Sequence, residues 1–136
     1  MMFDTKVAIL ILEDLPVWQK LNVTAFTVSG LAAVKPELIG APYQDGSGNL
    51  YLPMFRQPVL VFAGTAEALK AAHARAVARN LRLAIYTEAL FATGHDEANR
   101  AAVRSVPAEA LDLVGFALHE DRKDVDKVLK GLKLHP

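Results

Sequence analysis

Residues 6–34 constrain this chain more than any other stretch. Lys6-Val-Ala-Ile-Leu-Ile-Leu12 is an apolar run of strand length. A strand without alternation is covered on both faces, so this one is expected at the centre of an α/β sheet. Pro16 stops it and suits the first turn of a helix, with Asp14 as the expected cap. From Val17 to Val34 the only ionised side chain is Lys20. A helix with so little charge is expected to be buried on most sides. Val17, Leu21, Ala25, Val28 and Ala32 form one apolar stripe; Asn22, Phe26, Ser29 and Ala33 form a neighbouring one with isolated polar groups. Gly30 costs about 1 kcal/mol against alanine in a helix interior, which points to close approach to the sheet. The junction Glu13–Lys20 falls at the carboxyl end of the strand, where open α/β sheets hold ligands.

Lys35-Pro36 ends the helix, and Asp45-Gly-Ser-Gly-Asn49 is a turn. Leu50–Leu52 reads as a short edge strand, because Pro53 bars a central one. Pro58–Ala63 is a second buried strand. Thr65 caps a helix from Ala66 to about Arg79, with Glu67 in its first turn. Arg82–Tyr86 is a third strand, completing a crossover unit. Asp96–Arg104 reads as helix, Ala108–Leu111 as a helical turn, and Leu113–Leu118 as a fourth strand. A last helix follows Glu120 or Asp121, with Val125, Val128, Leu129 and Leu132 on its buried stripe. The expected architecture is one α/β domain over 1–136, a mixed four-stranded sheet with helices on both faces.

Composition narrows the functions. Fifteen basic and fifteen acidic side chains cancel, which argues against a dedicated nucleic-acid module. The absence of cysteine excludes disulfides and thiol chemistry. The amino terminus lacks a signal-peptide pattern and no apolar run reaches the roughly 20 residues of a membrane span, so a cytoplasmic protein with no membrane partner is expected. The histidines at 73, 95, 119 and 135 show no ligand spacing, and no metal or other cofactor is expected. Gly46-Ser47-Gly48 lacks the lysine ending of a phosphate loop.

Three segments carry a family resemblance: Lys6–Leu15, Gln57–Phe62 with the helix after it, and Val125-Asp-Lys-Val-Leu-Lys-Gly-Leu-Lys-Leu134. Together they resemble the type II peptidyl-tRNA hydrolases. Glu13-Asp-Leu-Pro-Val-Trp-Gln-Lys-Leu-Asn-Val23 is similar to an uncharacterised bacterial branch of that superfamily. The resemblance implies hydrolysis of an ester or amide-like bond, and a homodimer, with Tyr51, Met54 and Phe55 flanking the edge segment. It departs from the family at the site. The hydrolases keep a glycine-lysine stretch at the helix start; here either Lys20 or, with one residue inserted, Asn22 takes the lysine position. With that same insertion Phe26 and Ser29 stand where the family has a Gln and a His, and Glu88–Thr93 replaces its Asp-Ala-Gly segment.

Lys20 and Glu88 are therefore the candidate catalytic pair, the lysine for an oxyanion and the carboxylate for water. Asn22, Thr93 and Ser29 are the candidate substrate-binding groups. The simpler reading is a solvated lysine, a helix-start glutamate and hydroxyls bonded to their own helix. Lys70, Arg75, Arg79 and Arg82, with His73, form the one locally basic region, either a solvated helix face or a phosphate-contacting patch for tRNA. The competing function is a non-enzymatic protein binding a small molecule or a partner on the same scaffold.

Overall fold

The computed structural model describes residues 3–136. Its main sheet holds β1 (Thr5–Leu12), β4 (Val59–Gly64), β5 (Ala84–Thr87), β6 (Leu113–Asp121) and β7 (Lys133–Leu134) in the order β5-β6-β1-β4-β7. β1 runs parallel to β4 and antiparallel to β6. It is central, as its unbroken apolar run requires: Val7, Ala8, Ile9 and Leu10 are fully buried. Alternation sends Val7, Ile9 and Ile11 to one core, and Ala8 and Leu10 to the other.

The first core lies beneath α1 (Val17–Val34), which faces it with Val23, Thr27 and Leu31. The helix sits close because glycine faces it. A Cβ on Gly115 would lie 2.5 Å from Val23 Cγ1 and 3.1 Å from the Leu10 carbonyl oxygen, and one on Gly30 would lie 3.2 Å from Ala84 Cβ. The second core lies beneath α2 (Ala66–Ala78) and α4 (Arg122–Val128). Thr65 caps α2 as its sequence predicts, accepting the Ala68 N–H at 3.2 Å. α3 (Asp96–Arg104) has its predicted bounds, with His95 Nδ1 accepting the Ala98 N–H.

Five expectations are corrected. The main sheet has five strands, because the tail beyond Gly131 leaves the last helix and pairs with β4 as β7. Leu50–Tyr51 (β3) is no edge of that sheet; it pairs with β2 (Tyr43–Gln44) in a separate hairpin, and residues 41–52 are all exposed. The first and third strands of the sequence reading, β1 and β5, do not lie side by side as the resemblance implies, because β6 runs between them. Asp14 does not cap α1: Pro16 holds that position and no side chain caps it. Finally, α1 buries one side only. Val17, Leu21 and Ala25 of the expected inner stripe are exposed, as are Asn22, Phe26, Ser29 and Ala33. The sheet face lies on neither stripe but on Val23, Thr27 and Leu31, and a helix with apolar groups on every side and a single charge does not mark that face by periodicity.

Candidate functional site

The carboxyl ends of β1 and β4 open into a cleft of about 490 Å³, lined among others by Glu13, Gly64, Thr65, Leu132, Lys133 and Pro136. The Glu13 N–H donates to the Gly64 carbonyl at 2.9 Å, tying the loop after β1 to the end of β4. A Cβ on Gly64 would lie 2.8 Å from Leu132, so the floor there is closely packed. Polar Glu13, Thr65 and Lys133 line it together with apolar Ala63, Leu132 and Leu134, a mixture of the kind small-molecule sites use.

Lys20, on α1, is not among the residues that line this cleft. Its Nζ lies 3.0 Å from His135 Nε2. An ammonium only donates, so Nε2 accepts and Nδ1 carries the proton, which it donates to the Pro136 carbonyl at 2.9 Å. The His135 N–H in turn donates to the Val61 carbonyl at 2.8 Å. The lysine is thus turned toward the β7 edge.

Glu88 lies at the other edge. It opens the 3-10 turn Glu88–Phe91 after β5, its side chain is exposed, and its N–H donates to the Asp112 carbonyl at 2.9 Å. Four strand spacings separate the β5 and β7 edges, roughly 19 Å. Neither residue forms an ion pair among the described residues.

The other candidates scatter. Asn22 is exposed. Ser29 Oγ donates to the Phe26 carbonyl at 2.6 Å and buried Thr27 to the Val23 carbonyl at 2.7 Å, both back-bonds to α1 itself. Thr93 Oγ1 bonds the Leu90 carbonyl and the Asn99 side chain. The basic region is partly consumed by α4. Arg75 donates twice to the Val128 carbonyl, at 2.7 and 3.0 Å, and Arg79 lies 4.0 Å from Asp124. His73 is buried and its pKa is pushed down by that burial.

A second buried imidazole lies at the opposite end of β1. His119 Nε2 is 2.9 Å from Thr5 Oγ1, Lys35 Nζ donates to the His119 carbonyl at 2.9 Å, and Nδ1 is buried with no partner among the described residues. Burial and then the Lys35 ammonium hold its pKa below the ordinary value. At the tip of the hairpin, Asp45 accepts from the Ser47 and Asn49 N–H groups, the Asn49 amide and the Tyr51 hydroxyl. Those bonds, led by Tyr51, hold its carboxyl far below the usual range and raise the Tyr51 hydroxyl. No helix of the described residues is long and apolar enough to cross a membrane.

Residues 5–136 match the model of a family described as protein of unknown function (DUF2000). The chain belongs to the DUF2000 family. It is also 50% identical to a solved structure, the protein of unknown function Atu0240 from Agrobacterium tumefaciens strain C58, at a TM-score of 0.97. The match covers 99% of this chain and 100% of that one. No curated protein is significantly similar to the chain. Membership in DUF2000 brings no activity with it, and neither description supports the hydrolase resemblance. Sequence reasoning missed His135, 115 positions from Lys20, and the cleft beside it. The signal available was Gly131, which at φ 82° turns the chain after α4 has ended at Val128.

Proposed function

We propose that this DUF2000 chain is a non-enzymatic binding protein that takes a small polar molecule in the cleft between Glu13, Thr65 and Lys133. One observation carries the reading: the two groups a hydrolase would bring together stand at opposite edges of the sheet, Lys20 held by His135 and Glu88 exposed beyond β5. What remains at the carboxyl ends of β1 and β4 is a cleft with one acid, one base and a hydroxyl over an apolar floor. That set orients a ligand by charge at both ends. tRNA has no part in this reading, because Arg75 and Arg79 are engaged with α4.

Thermal-shift titration with small carboxylates, amines and zwitterions tests it. Stabilisation by one class should be lost in Glu13→Gln or Lys133→Ala and kept in Glu88→Gln. Peptidyl-tRNA hydrolysis that falls on Lys20→Ala or Glu88→Gln would replace the binding reading with the enzymatic one. The same reading makes the working unit a homodimer, since α1 and the hairpin leave apolar side chains in water.

A further inference from the structure

The outer side of α1 and the β2–β3 hairpin share one property. Residues 17–34 and 41–54 contain only two ionised side chains, Lys20 and Asp45, of the chain's fifteen basic and fifteen acidic ones. Both are engaged, Lys20 by His135 and Asp45 by its own turn. The same segments hold ten of the fourteen large hydrophobic side chains exposed among the described residues. Trp18 is 56% exposed, Leu21 67%, Leu50 74% and Leu52 84%.

At those exposures the ten together leave on the order of 10³ Å² of side-chain surface in water, spread over the two elements. It matches what one partner gives to a standard stable interface, roughly 800 Å². A hairpin with no third strand is marginal in water. This one is nonetheless held in shape at its tip by four hydrogen bonds to Asp45.

Resting on the homodimer reading, we infer that the cover is a second copy of this chain, docked through α1 and the hairpin about a two-fold axis. The chemistry selects that occupant. A two-fold contact sets a surface against itself, and an uncharged surface does so without repulsion. A polyanion would need cations, and an anionic membrane a basic rim; these segments supply neither.

The connectivity fixes the arrangement. The hairpin leaves the body beside the carboxyl end of α1, its base closed by Gly40 N–H to Met54 O at 2.9 Å and Arg56 N–H to Leu38 O at 2.8 Å. Exposed Val17, Trp18 and Leu21 lie at the other end of the helix, which at 18 residues is about 27 Å long. With the two α1 helices antiparallel, each hairpin lies against the amino-terminal half of the other copy's α1.

The test is light scattering on the full chain, its Leu21→Glu and Leu52→Glu variants, and a mixture of Leu21→Cys and Leu52→Cys chains under oxidation. The wild type should weigh twice 14.8 kDa. Each glutamate variant should run as a monomer with an unchanged circular dichroism spectrum, because each side chain already faces water in the single chain. The mixed cysteine chains should yield a disulfide joining the two species, which decides the matter if a glutamate variant fails to fold. A monomeric wild type at the highest soluble concentration overturns the homodimer reading and this inference together. A dimeric wild type whose glutamate variants stay dimeric, or whose cysteines do not cross-link, overturns this surface alone. A monomer that binds phosphatidylcholine vesicles through Trp18 names lipid as the occupant and also overturns it.

Discussion

α1 and α2 cover opposite faces of one sheet, and their inner sides are alike while their outer sides are not. α1 packs Val23, Thr27 and Leu31 inward, and α2 packs Leu69, Ala72 and Ala76. Outside, α2 shows Glu67 and Lys70 to water, whereas α1 shows Val17, Trp18, Leu21 and Phe26. Their ends differ too. Thr65 caps the start of α2, and no side chain caps the start of α1. Lack of charge on a helix therefore does not report burial within its own chain. It leaves a helix with one side against the sheet and a second apolar side open to water.

The strongest way to break this comparison is through the inner sides, which should respond equally. Leu31→Ala and Leu69→Ala should each cost about 2–5 kcal/mol by urea unfolding, as buried leucines do. A much smaller loss at Leu31 would mean that α1 is held by contacts other than its sheet face. Next, Gly115→Ala should destabilise by roughly 1–3 kcal/mol, because the new methyl group overlaps Val23 and the Leu10 backbone. A melting temperature equal to the wild type would show that α1 can lift away from the sheet.

A third effect joins the two sides. His73 on α2 and His119 beneath the end of α1 both have folded pKa values below 6.5. The unfolded chain binds those protons first, so stability is full above pH 6.5 and falls as pH drops toward the folded values. Denaturation midpoints measured from pH 7.5 to 5 should fall, and should fall less in His119→Asn. A profile that rises on acidification would contradict the burial of both rings. The smallest effect concerns the caps: Thr65→Ala should cost about 1 kcal/mol, and Asp14→Ala only a few tenths.

The parts legible in the sequence are those fixed by local chemistry. Val7–Ile11 had to be central, Thr65 had to cap, and Asp96–Arg104 had an acidic start and a proline soon after its end. β7 was not legible. Two residues after a glycine become a strand only because Val61 to Ala63 offer partners to them. The inner side of α1 was not legible either, since apolar residues fall on every side of it and its buried face includes a threonine. The candidate site was legible only in place, at the carboxyl end of β1. Its composition was not, because Lys20 could be paired with His135 only once the tail was known to return.

The order of strands also sets a problem for synthesis. β1 is the centre of the sheet, and it leaves the ribosome before all of its neighbours. β4 begins at Val59 and β6 at Leu113, so the edge that β6 will cover stays open while about a hundred more residues are made. At ~5–20 residues per second that is on the order of 5–20 s. Throughout it, an uncharged Val-Ala-Ile-Leu-Ile segment lies unpaired along at least one side. Segments of that kind stack readily with one another. The nascent chain, rather than the finished protein, is where this segment is open to such stacking.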